Sequence, residues 1–194
     1  MIDKRWVRFV GMALMVAALA GCRGGDGASP EKPYRFTMVI FGTPGNPFWT
    51  KVVAGAKETA EKLKCSVDIQ YANADAAKQN DILDTAITNK VDGIAVVLNF
   101  DDAYDDVVSK AMDAGIPVLA FNIDDSKKAA GNRRMAYIGQ DMEAAGYMIT
   151  QRLVKDAGLK PGDFVVCPVE HPEAVYAVQR YAGAKRALDE AGVQ

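Results

Sequence analysis

From residue 34 onward, apolar and polar positions alternate between two periods. Residues 35–41 (RFTMVIF), 66–71, 93–98 (GIAVVL), 116–121 (IPVLAF), 135–138 and 163–169 are short runs rich in branched and aromatic side chains, and they read as strands. Between them lie segments with apolar residues three and four positions apart. In 47–63 these are Phe48, Val52, Ala56, Ala60 and Leu63; in 76–90 they are Ile82, Leu83, Ala86 and Ile87. Together with 102–114, 142–155 and 173–191, these segments are predicted to be helices. Asp101 is placed to cap the third of them, with Asp102, Asp105 and Asp106 opposing the helix dipole in or near its first turn. The 93–98 run is apolar throughout, as expected of a parallel strand covered on both faces. Strict strand–helix alternation predicts an α/β fold with a parallel sheet and right-handed crossovers. Ligands of such sheets sit beyond the carboxyl ends of the strands, which directs attention to loops 42–47, 72–75, 99–101, 122–125, 139–141 and 170–172.

The first 21 residues follow a different pattern. Lys4, Arg5 and Arg8 precede an apolar run over 9–19, and Leu19, Ala20 and Gly21 then lead into Cys22. That order is the one found in a secretory signal, and the apolar run is shorter than the ~20 residues that span a bilayer. Leu19-Ala20-Gly21-Cys22 resembles a bacterial lipobox, which implies cleavage before Cys22, acylation of that cysteine and life on a membrane face in the cell envelope. Residues 22–33 are rich in Gly, Pro and charge and read as a flexible tether. Removing residues 1–21 leaves 20 basic against 24 acidic residues, a net charge of about −4. With no basic stripe, nucleic acid is not an expected partner.

Chemistry-bearing residues are sparse. His171 is the one histidine, no metal-type Cys/His spacing exists, and no phosphate loop or nucleophile–base arrangement is visible. No catalytic residue, metal or cofactor is therefore expected. Cys65 and Cys167 read as two small buried hydrophobes rather than a disulfide, each at or within a predicted strand. Asn46 and Pro47 form a good N-cap and N1 pair. The adjacent Phe48 and Trp49 point about 100° apart on a helix, so one of them is expected at the strand-end cleft, where an aromatic face suits the C–H face of a sugar ring.

Seven stretches, in order, resemble periplasmic sugar-binding proteins of the ribose/galactose type. They are Asn46-Pro-Phe-Trp49, Gly55-Ala-Lys-Glu-Thr-Ala60, Asp75-Ala-Ala-Lys-Gln79, Val91-Asp-Gly-Ile94, Ala114-Gly-Ile-Pro-Val118, Tyr137-Ile-Gly-Gln-Asp141 with Gly146, and Arg180-Tyr-Ala-Gly183. The resemblance covers 34–194 and implies the type I periplasmic binding protein architecture, two Rossmann-like lobes joined by hinge strands. Residues 34–140 would form the N-terminal lobe. Residues 141–194 would begin a second lobe that this chain leaves incomplete, as in a C-terminally truncated member of the family.

The same resemblance implies a monomeric receptor that closes on a small polyhydroxylated solute and passes it to an ABC permease in the inner membrane. By position, Asn46 would hydrogen-bond sugar hydroxyls, Phe48 and Trp49 would border the ring, Gln140 and Asp141 would lie at the first lobe crossover with hinge and ligand contacts, and Arg180 would donate to the sugar. Asn122 stands where the family often has Asp, and Ile123 where it often has Arg, so a charged hydroxyl clamp is missing. A sensory receptor reporting a sugar or furanosyl signal to a chemoreceptor or kinase is the alternative. The related cytoplasmic repressors are excluded, since an export signal stands where their DNA-binding segment would be.

Overall fold

The computed structural model describes residues 33–169 and 171–193. The signal, Cys22 and the tether fall outside these residues. Five strands, β1 (Arg35–Ile40), β2 (Ser66–Tyr71), β3 (Gly93–Val96), β4 (Val118–Asn122) and β5 (Ala136–Gly139), form one sheet in the order β2-β1-β3-β4-β5, every pair parallel. Helices α1 (Pro47–Lys62), α2 (Ala76–Thr88), α3 (Asp105–Asp113), α4 (Met142–Ala157) and α5 (Val175–Ala191) complete the alternation. The expected α/β class and parallel sheet are both present.

Pleating sends successive side chains of a strand to opposite faces, and β1 shows this directly. Val39 joins Leu83, Val96, Val108 and Val118 in a core beneath α2 and α3. Met38 and Ile40 join Trp49, Val97, Phe121 and Met142 in a second core under α1. The chain leaves β1 for β2 on one side and β3 on the other, so the sheet switches direction there and opens a crevice beyond the carboxyl ends of β1 and β3.

Four local expectations are corrected. The buried stripe of α1 runs through Trp49 and Ala60, with Val52, Val53 and Ala56 packed beside it, while Phe48 and Leu63 are exposed. The indole takes the core position because glycine at 42 leaves room for it: an added Cβ there would lie 2.2 Å from Trp49 Nε1. The third helix starts at Asp105, because Asp102 holds a left-handed φ of 63° through which a right-handed helix cannot propagate. Asp101 consequently does not cap it. Its carboxylate accepts from Ser126 N at 2.9 Å and from the Ser126 hydroxyl, tying the β3 exit to the loop after β4.

Residues 163–169 form no strand, and Phe164 and Val166 stand exposed. A strand exists through bonds to a neighbour, and among the described residues none lies alongside it. Finally, Cys65 is half-buried and Cys167 exposed, both free thiols, so neither is the fully buried hydrophobe expected.

Helices α4 and α5 pack against each other through a close backbone approach. A Cβ on Gly146 would lie 2.1 Å from Arg180 O, and one on Gly183 would lie 2.0 Å from Glu143 O. Small residues let two helix backbones meet in this way, and here the contact fixes where Arg180 sits.

Candidate functional site

Strand exits and helix starts converge on a cavity of about 450 Å³. Phe41, Gly42 and Thr43 come from the exit of β1, Asn99 from the exit of β3, and Asn122 and Ile123 from β4. Asn46, Phe48 and Trp49 come from the start of α1, Met142 from the start of α4, and His171, Tyr176 and Arg180 from α5 and its approach.

Asn46 caps α1: its Oδ1 accepts from Phe48 N at 2.9 Å. With Oδ1 occupied, no protein group among the described residues accepts from its Nδ2, which is left to donate. Pro47 at the first helical position costs no hydrogen bond, because that N–H has no intrahelical partner. Phe48, 53 % exposed, lays an open aromatic face on the cavity. Trp49, 9 % exposed, touches the cavity but is mostly core, edge-on to Phe48 at 4.8 Å and to Phe121 at 6.2 Å. Both aromatics therefore reach the cleft, Phe48 as its surface and Trp49 as its floor.

Asn122 ends β4 at a φ of 64°, a conformation that asparagine tolerates better than most side chains. Its carbonyl takes a 2.7 Å hydrogen bond from the Tyr137 hydroxyl, which also stands 2.9 Å from Gln140 O. Tyr137 thus pins the ends of β4 and β5 together, and burial pushes its phenol above the ordinary tyrosine value. Replacing Asn122 with alanine should cost stability at this left-handed position, whereas glycine should be tolerated. Thermal denaturation of the two variants tests this. Equal losses would mean that the side chain, not the backbone, is needed there.

Arg180 lines the cavity, donates weakly to Gln140 Oε1 at 3.4 Å and lies 6.0 Å from the Tyr176 ring centroid. Gln140 itself faces the neighbouring cavities and reaches the site through Arg180. Asp141 is drawn elsewhere. It caps α4, its Oδ1 accepting from Ala144 N at 2.9 Å, and it lines the adjacent cavity. That amide bond, aided by Lys128, holds its carboxyl below the usual aspartate value.

Sequence reading alone missed several lining residues. Asn99 is 4 % exposed with its Oδ1 unpartnered, and its carbonyl accepts from Val175 N at 2.9 Å. His171, given no role by the sequence, packs edge-on to Phe41 at 6.2 Å. The only signal for these was position: each follows a strand or precedes a helix at the sheet's carboxyl edge. Among the described residues no cluster fit to hold a metal ion occurs, and no helix is long and apolar enough to cross a membrane.

Comparison with known proteins adds a family. Residues 37–194 match the model of the periplasmic binding protein domain. The chain is 29 % identical over 172 residues to a D-ribose/D-allose-binding protein of Pseudomonas aeruginosa, covering 86 % of this chain and 53 % of that protein. It is 27 % identical over 151 residues to the xylose/arabinose-binding protein XylF of Sulfolobus acidocaldarius, covering 73 % and 38 %. Among solved structures, a periplasmic sugar-binding protein of an ABC sugar transporter from Legionella pneumophila superposes with a TM-score of 0.75 at 25 % identity, over 82 % of this chain and 58 % of that one. The chain thus spans about half the length of the relatives it matches.

Proposed function

We propose, for a chain that belongs to the periplasmic binding protein domain family, that it captures a monosaccharide or similar small polyhydroxylated solute for an ABC importer. It does so as a binding protein of the cell envelope and not as a catalyst. The observation that carries this reading is the cleft at the β1/β3 switch point, where an exposed Phe48 face adjoins the free amide of Asn46 and the side chains of Asn99, Asn122 and Arg180. Aromatic faces stack on sugar C–H groups while amides and a guanidinium donate to hydroxyl oxygens, a combination suited to a small concave site. Acylation of Cys22 would hold the receptor at the membrane beside its permease. Ligand capture would proceed by closure of two lobes about the β5–α4 crossover at Gln140 and Asp141.

The test is a titration of monosaccharides against the chain, following tryptophan emission, since Trp49 floors the cleft. A saturable change with one pentose or hexose is expected, and Phe48→Ala should weaken it roughly ten-fold or more, as loss of a stacking face does. Phe48 is exposed, so this variant should keep its melting temperature. A folded protein that answers to no sugar would overturn the reading. Binding of a sugar with no effect on its uptake by cells would shift the role from transport to signalling.

A further inference from the structure

The chain leaves β4 through a strained turn. Ile123 N donates to Phe121 O at 2.8 Å, the bond between residues two apart that defines a γ-turn, here centred on Asn122. With a φ of 64° at Asn122, this is the rare form of that turn, the one with positive φ. A residue other than glycine persists in such a conformation only where its surroundings hold it, and such residues cluster at ligand clamps. Asn122 also lines the cleft, so the strained residue and a candidate ligand contact are one and the same.

The hold comes from Tyr137. Its half-buried ring packs against the core beneath α2 and α3. Its hydroxyl lies 2.7 Å from Asn122 O and 2.9 Å from Gln140 O. A phenol has one proton to give, and the shorter contact places it on the Asn122 carbonyl. Strand register sets the two ends side by side, with Asn122 opposite Gly139. Glycine at 139 makes room for the phenol, since an added Cβ there would lie 2.0 Å from the Tyr137 hydroxyl oxygen. Strand β4 fixes Asn122 on its amide side and Tyr137 fixes it on its carbonyl side. Peptide units are planar, so together these set the direction in which the side chain leaves the backbone.

We propose that the Tyr137 hydroxyl is a positioning group for ligand capture, holding the strained turn that presents Asn122 to the cleft. Tyr137 does not line the cleft, so it acts through Asn122 and not on the ligand. This inference rests on the sugar-receptor reading above and adds a residue to it.

The fluorescence titration of the full chain with D-ribose, D-xylose, D-galactose and D-glucose selects the tightest sugar. With that sugar the unaltered chain is compared with Tyr137→Phe, Asn122→Gly and the double variant. Tyr137→Phe keeps the ring, and it is expected to weaken binding about three- to ten-fold, the usual worth of one hydrogen bond. Asn122→Gly should weaken binding at least as much, because glycine keeps the turn and loses the amide. In the Asn122→Gly background, Tyr137→Phe should cost no further affinity, since no side chain is left to aim. A tyrosine with a merely structural role would lower the melting temperature and leave affinity alone. Gly139→Ala displaces the phenol without removing it and should reproduce the loss; it stands in if Tyr137→Phe fails to fold. Unchanged affinity in Tyr137→Phe, Gly139→Ala or Asn122→Gly would overturn the positioning role and leave the sugar receptor standing. Losses that add in the double variant would do the same, since Tyr137 would then act by another route. Failure of these four sugars and of other monosaccharides to bind the folded, unaltered chain would overturn both.

Discussion

Replacing Trp49 with alanine is expected to lower the unfolding free energy by about 3–5 kcal/mol, the range seen when a buried aromatic is truncated to alanine. The indole is 9 % exposed and belongs to the core with Ile40, Val97, Phe121 and Met142. It also lies on Gly42, where no side chain could fit beside it. Its removal leaves a hole bounded by a strand end, the start of a helix and an aromatic ring, and such surroundings collapse poorly. Against a total stability of about 5–15 kcal/mol for an ordinary domain, this is a loss that populates unfolded chain. Urea denaturation followed by circular dichroism measures it, and an unchanged midpoint would show that the indole is not core. Loss of ligand binding in this variant therefore carries no information about contact with sugar. Phe48→Ala, at an exposed ring on the same cleft, is the variant that does.

The second large effect concerns the α4–α5 contact. Intrinsic helix propensity alone makes glycine-to-alanine in a helix stabilising by about 0.8–1.0 kcal/mol. Gly146→Ala and Gly183→Ala are expected to do the opposite. The new Cβ would lie 2.1 Å from Arg180 O in one and 2.0 Å from Glu143 O in the other, and both obstacles are backbone atoms that cannot rotate away. Overpacking of this kind costs about 1–3 kcal/mol, and a larger residue such as valine at 146 should cost more. Gly55 supplies the control. It is exposed on α1 with nothing within 4 Å of an added Cβ, so Gly55→Ala should stabilise.

Opposite signs for position 55 and positions 146 and 183, read from melting temperatures, would establish the close helix approach. The same sign at all three would abolish it. Because the obstructing atom at 146 is the carbonyl of Arg180 itself, Gly146→Ala should also weaken any ligand contact made by that arginine. Neither residue is near the other in sequence, and the coupling arises only from the packing of two helices.

Much of the architecture was legible because it follows from local periodicity. Period-two and period-3.6 patterns located the five strands of the sheet and the five α-helices among the described residues, and alternation alone called for parallel pairing. The misplacements share a cause. The strand expected over 163–169 had the right residue types but no neighbour to bond, and strand propensity cannot supply one. The third helix began late because Asp102 turned left-handed, a backbone choice that side-chain periodicity does not report. The buried face of α1 rotated from Phe48 to Trp49 because space was available at Gly42, which only the folded sheet reveals.

Site residues divide in the same way. Asn46, Phe48, Trp49, Asn122 and Arg180 meet in the cleft, and each carried a sequence signal of its own: a cap, paired aromatics, a strand end or a motif shared with the family. Asp141 carried an equally good signal and was taken by a helix cap. Asn99 and His171 carried only their position, one after a strand and one before a helix at the sheet's carboxyl edge. By itself, the amino-acid sequence determined the order of elements, the class of fold and the edge of the sheet at which a ligand would bind, because these depend on side-chain periodicity and backbone hydrogen bonding within short segments. Only the tertiary structure decided which carboxylates are already engaged, which aromatic is floor and which is surface, and that Arg180 lies on the cleft, because packing is set by groups that meet across tens of residues.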